Sequence, residues 1–170
     1  PEMLKEGNVL QLNTEVYGGA ILSTWFDRPL SLAGRVILKS ANPLHPETRL
    51  LHIKRPLLQI PNLAIHFNRQ VNDGVKLSKQ KDMIPVMGIL KDKLEKDNLL
   101  LNLIASELNV AAGEILDFDL YLYDTTPACT FGLNNEFISS GRLDDLSMVS
   151  AAIDALLGTG ISDQTQIVAI

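Results

Sequence analysis

Cysteine is nearly absent from this 170-residue sequence: Cys129 stands alone. An intrachain disulfide is therefore impossible, a thiolate metal cluster is excluded, and a reducing cytoplasm is the natural setting. Aromatic residues amount to 5%, too few for a base-stacking surface, and a net charge of −5 points away from nucleic acid as a partner. No uncharged apolar run approaches the length of a membrane span, so no membrane partner is expected either. The opening PEMLKEGNVLQL lacks the basic-then-apolar order of a signal peptide. Chemical signatures are missing too. There is no HxxH or HExxH spacing for zinc, and the YGG at Tyr17 lacks the spacing of a phosphate-binding loop. Ser139 and Ser140 precede Gly141 without forming G-x-S-x-G, which argues against a serine hydrolase.

What is present is an ordinary globular composition, with 46% hydrophobic and 21% charged residues. The length suits one good-sized domain or two small ones. Residues 8–40 read as strands interrupted at Gly18 and Gly19 and by a polar DRPLS turn before AGRVILK, and 41–49 as a proline-bearing loop. LLHIKRPLLQI and LAIHF read as short β-type runs, and 68–82 as a long mobile surface loop. KDKLEKDNLLLNLIASELNV has apolar residues at 99, 100, 103, 104 and 108, one helix face, with Gly113 as the break. EILDFDLYLYD alternates, placing Leu116, Phe118, Leu120 and Leu122 on one side of a strand. TTPACTFGLNNEF reads as irregular. A second helix is expected from Arg142 to Leu157, with Leu143, Leu146, Val149, Ile153 and Leu156 as its stripe and Gly158 as its end. The last residues, QIVAI, read as a buried strand stopping in mid-course, and both ends give the expectation of a piece of a longer chain. The fold class expected is α+β, with a boundary near 110–117.

Three places could carry chemistry. Asp144 and Asp145 fall where a Ser/Gly-rich turn meets the second helix. There they are either first-turn charges favoured by the helix dipole or oxygen ligands for a cation. His66, in IPNLAIHF, is either a rim histidine opposite Leu63, Ile65 and Phe67 or a substrate-facing imidazole. Trp25 reads as a core or interface residue beside Asp27 and Arg28 in a turn, and His45 and His52 as surface residues.

Four segments, taken in order, resemble the aspartyl aminopeptidase family of dinuclear zinc exopeptidases. They are EVYGGAILSTWFDRPLSLAGRV, RPLLQIPNLAIHFNRQVN, ILDFDLYLYDTTPA and NNEFISSGRLDDLSM. The resemblance runs from about Gly7 to Leu157. It implies that Asp144, in R-L-D-D-L, bridges two zinc ions; the family usually has Asn at the next position, where this chain has Asp145. It implies that His66 reaches substrate in a neighbouring subunit. It also implies that residues 18–116 form an inserted, β-rich, barrel-like dimerisation and lid domain with one helix. Residues 1–17 and 117–170 would then belong to an α/β catalytic domain. The other zinc ligands and the general base would lie outside this stretch, leaving no catalytic residue within it.

In such an enzyme two zinc ions lower the pKa of a shared water to about 7 and polarise the scissile carbonyl. The substrate implied is a peptide with an acidic N-terminal residue, and the assembly implied is a homo-oligomer, at least a dimer. The stretch alone is expected to be inactive and to hold no zinc tightly. Two further readings stand beside this one. The chain could be a self-associating interaction module using the Trp25 segment and residues 20–67, or a small-molecule-binding α+β domain.

Overall fold

LSLAGRVIL places Leu30, Leu32, Val36 and Leu38 on one side of an extended chain, and all four are buried in a computed structural model describing residues 3–89 and 98–170. This segment is β3 (Leu30–Leu38), the central strand of its sheet. It pairs antiparallel with β4 (Glu47–His52) on one edge and β6 (Ile115–Asp124) on the other. A second antiparallel sheet runs β1 (Met3–Glu6), β2 (Val9–Leu12), β5 (Val86–Ile89). Residues 57–60 stitch the two together. The Leu30 N–H donates to the Leu58 carbonyl at 2.8 Å, and Gln59 and Val86 exchange N–H···O bonds of 3.0 and 2.7 Å. Helix α1 (Leu99–Leu108) buries Leu100, Ile104 and Ala105. Leu100 and Ile104 join a core of Leu12, Leu30, Val36, Ile53 and Ile60. Each such side chain removed from water stabilises the fold by roughly 1.5–3 kcal/mol.

The mixture of small sheets and two helices is α+β, as expected. The packing divides into Pro1–Thr126, just described, and Pro127–Ile170. The latter holds a hairpin of β7 (Cys129–Phe131) and β8 (Phe137–Ser139), and helix α2 (Leu143–Gly158). The hairpin corrects the irregular reading of TTPACTFGLNNEF: Phe131 and Phe137 face each other across it with ring centroids 5.2 Å apart. Such cross-strand aromatic pairs stabilise short strands that local pattern does not reveal.

Other expectations are corrected as well. LAIHF is no strand. Its central residues form a turn, and Leu63, Ile65 and Phe67 are all exposed. QIVAI lacks strand structure and Ile167 and Ile170 are exposed, because a strand needs a ladder partner and none is supplied there. Residues 13–21 are likewise irregular, followed by a 3-10 turn at Leu22–Trp25. β4 starts at Glu47, inside the stretch read as a loop. Helix α1 ends before Gly113. Asn109 adopts a left-handed backbone (φ 54°) and the Val110 N–H caps the Ala105 carbonyl at 2.9 Å. The expected beginning of that helix, in 91–97, lies outside the described residues. On β6, the alternation fails at Leu116. The register shifts between Ile37 and Leu38, so Ile115 rather than Leu116 packs on the core, and Leu116 is exposed.

Gly34 explains the glycine of LAGRV. A Cβ there would lie 2.0 Å from the Asp119 carbonyl oxygen on β6, so close backbone approach requires its absence.

Candidate functional site

Helix α2 begins irregularly. Arg142 has a left-handed backbone (φ 60°), Asp144 is extended (φ −88°, ψ 105°), and the peptide joining Asp144 to Asp145 is cis. Asp144 and Asp145 thus fall in the first turn of α2, as expected, but Asp144 does so with non-helical backbone angles. No side-chain hydrogen bond or ion pair among the described residues engages either carboxylate. Both are exposed, and no side-chain cap hydrogen bond opens the helix. A free carboxylate is a suitable oxygen donor for zinc, but a structural or catalytic zinc takes at least three protein ligands. Among the described residues there is no group of three or more His, Cys, Asp or Glu that could hold a metal. This chain's donors fit zinc as a partial ligand set and do not complete a site.

His66 lies in the other unit, at the exposed 65–67 turn. The turn is closed by the Phe67 N–H donating to the Ala64 carbonyl at 2.8 Å. It projects from a firm base, since Leu58 and Ile60 are buried and everything from Pro61 to Phe67 is exposed. Asp27 ties the two together. Its N–H donates to the Ile60 carbonyl at 2.9 Å, and its Oδ1 accepts from the Asn62 N–H at 2.9 Å. Asp27 and Arg28 thus go to separate partners, because Arg28 makes its ion pair with Asp124. Sequence reading noticed both residues as a turn and missed these roles; the signal available was their place in the intact WFDR motif.

Burial is the largest influence on Asp124 and raises its pKa. Hydrogen bonds from Thr126 and the Arg28 guanidinium outweigh it and hold the carboxyl below its ordinary value. Tyr121 moves the other way: the Asp119 carboxylate, by its charge and by hydrogen bonding, raises the phenol. His52 stacks obliquely on Tyr123, with centroids 5.2 Å apart, in agreement with a surface role.

A cleft of about 740 Å³ opens in the Pro1–Thr126 unit, lined by Trp25, Leu32, Met83, Phe118 and Leu122 among others. Neither His66 nor Asp144 lines it; its polar lining is Asn13, Thr14, Glu15, Tyr17, Asp119 and Tyr121. Trp25 is half-buried against the core, matching its structural reading.

The family model for aminopeptidase I zinc metalloproteases (M18) matches residues 2–170. The chain belongs to the M18 aminopeptidase family. A probable M18 family aminopeptidase 2 of Clostridium acetobutylicum is 56% identical over 169 residues, which cover 99% of this chain and 39% of that protein. Among solved structures, a chain in the cryo-EM structure of the Ape4 and Nbr1 complex superposes with a TM-score of 0.82 at 34% identity, covering 91% of this chain and 32% of that one. Chaetomium thermophilum mApe1 gives 0.77 at 32% identity, covering 97% of this chain and 38% of its own. The chain thus spans 39% of the length of the curated M18 relative it matches. No helix among the described residues is long and apolar enough to cross a membrane.

Proposed function

We propose that the full-length M18 protein is a zinc-dependent aminopeptidase acting in the cytoplasm on peptides, with acidic N-terminal residues as the preferred class. In this reading the present stretch supplies an oligomerisation and lid module together with one bridging zinc ligand, Asp144. The observation that carries it is the state of Asp144 within a family match covering residues 2–170. Its carboxylate is exposed, free of partners among the described residues, and set at a non-helical point in the first turn of α2. A carboxylate with no structural task is available to a metal. When bound, a pair of zinc ions supplies Lewis acidity for hydrolysis. The contribution of Asp144 is negative charge held at a fixed place by the α2 backbone. His66 donates a hydrogen bond to the substrate of a neighbouring subunit. Its exposed turn suits that task, since the side chain is not committed to its own unit.

Residues 18–116 form the inserted module in this reading, and 1–17 with 117–170 belong to the catalytic domain. In that division β6, which pairs with β3 from Ile115 to Asp124, joins the module to the start of the catalytic segment. The bridges at 57–60 between the two sheets support a barrel-like description of it. The self-associating reading is compatible with this one and is favoured by Leu63, Phe67, Tyr17 and Ile21, which are all largely exposed.

The experiment is hydrolysis of Asp-, Glu- and Leu-initiated peptides by the full-length protein, with zinc content measured alongside. Asp144→Ala is expected to abolish turnover and to release zinc. His66→Ala is expected to lower turnover with zinc intact. Normal activity in both variants overturns the assignment. The 170-residue chain alone is expected to keep no zinc through dialysis.

A further inference from the structure

We propose that Asp27 is a positioning residue for His66, holding the 61–67 loop at the angle its function requires; this rests on the reading of His66 given above. Residues 58–60 are the last of this segment to be anchored. Leu58 and Ile60 are buried, Phe26 and Ile60 form a parallel bridge, and from Pro61 to Phe67 every residue is exposed. Asp27 makes the contact that carries order beyond that point. Its Oδ1 accepts from the Asn62 N–H at 2.9 Å, and the Asn62 Oδ1 in turn accepts from the Leu63 N–H at 3.1 Å. The local turn then starts at the Ala64 carbonyl, which takes the N–H groups of Phe67 and Asn68 at 2.8 and 3.3 Å. Hydrogen bonds thus order the chain from Asp27 as far as Leu63, and a separate turn bond closes on Phe67 beside His66.

Two properties of aspartate suit it here. Its backbone is left-handed (φ 58°), a conformation that Asp and Asn tolerate better than most residues. Its ionised carboxylate makes a stronger acceptor for a backbone N–H than a neutral oxygen. With the acceptor gone, the loop keeps its base at Ile60 and loses its exit angle. An imidazole six residues from the nearest buried anchor, Ile60, then samples positions away from the substrate; misplacement on the ångström scale costs up to about a hundredfold in rate.

The test uses the full-length enzyme with a peptide substrate and compares Asp27→Asn, Asp27→Gly, His66→Ala and Asp27→Gly/His66→Ala. Asn keeps both the acceptor oxygen and the tolerance of positive φ, so Asp27→Asn is expected to retain kcat within about threefold. Gly adopts the backbone freely and lacks only the acceptor, so Asp27→Gly is expected to lower kcat by about tenfold or more with zinc content unchanged. In the His66→Ala background Asp27→Gly is expected to add nothing. Amide hydrogen exchange of residues 62–67, read independently of activity, is expected to accelerate in Asp27→Gly and not in Asp27→Asn. Normal kcat in His66→Ala overturns the reading of His66 and this inference with it. Impaired His66→Ala beside a normal Asp27→Gly, or losses that multiply in the double variant, overturns the role of Asp27 alone.

Discussion

Helices α1 and α2 carry similar apolar stripes and have opposite fates. In α1, Ile104 is 0% exposed and Leu100 is 5% exposed, packed on the strands of the Pro1–Thr126 unit. In α2, no residue is buried: Ile153 remains 40% exposed and Leu146 56%. Periodicity of 3.6 residues makes a helix amphipathic in either case, but burial requires a facing element. The first unit has two sheets to offer. The second has a two-stranded hairpin of three-residue strands, too little for independent stability by itself. An amphipathic stripe is thus a demand for a partner, and only one of these two helices meets its partner among the described residues of its own unit.

The comparison can be broken most forcefully at Gly34, where the first unit depends on close packing of backbones. Gly34→Ala sets a methyl against the Asp119 carbonyl and is expected to cost about 3 kcal/mol or to prevent folding, as read by denaturant unfolding or by soluble yield. Unchanged stability would show that β3 and β6 are less tightly joined than described here. The next effect sharpens the contrast between the helices. Ile104→Ala is expected to cost about 2–5 kcal/mol by leaving a cavity, whereas Ile153→Ala in the 170-residue chain should stay within about 1 kcal/mol. Repeating Ile153→Ala in the full-length protein asks whether the rest of the polypeptide covers α2; a cost approaching that of Ile104→Ala answers that it does.

The smallest effect belongs to the rim of the first unit. The folded pKa of Asp124 lies below its unfolded one, so its ion pair with Arg28 and its bonds from Thr126 contribute fully above the ordinary carboxylate value of about 4. That contribution is lost as pH falls through the folded value. Half of the Arg28 side chain is exposed, so solvent screening keeps the contribution to about 0.5 kcal/mol. Asp124→Asn should lower stability at pH 7 by about this amount and flatten the pH dependence below about pH 4, measured by thermal unfolding across that range. An equal pH slope in the variant contradicts the assignment.

Strands were legible in the amino-acid order over most of β6 and the later part of β3, whereas Leu30 and Ser31, read within a polar turn, begin β3 and are buried. Legibility failed where a distant residue decides. Leu116 is exposed because a bulge shifts β6 against β3, and nothing in ILDFDL announces the shift. LAIHF alternates like a strand, yet its backbone meets no neighbouring ladder and turns instead. Asn109, not the glycine four residues on, ends α1, because asparagine can also take the left-handed cap. At the candidate site, the motifs that contain them single out Asp144 and His66 as candidates. The hold of Asp27 on the loop before His66 was not, since it joins residues 35 positions apart.

By itself the sequence determined the family, the single thiol, the amphipathic helices and the candidacy of Asp144 and His66, because motifs and periodicities are local properties of the chain. Tertiary structure decided which apolar stripe is buried and which edge of β6 faces the core. Those outcomes depend on which segments meet across long separations, and the chain expresses that choice only when its sheets close over one another.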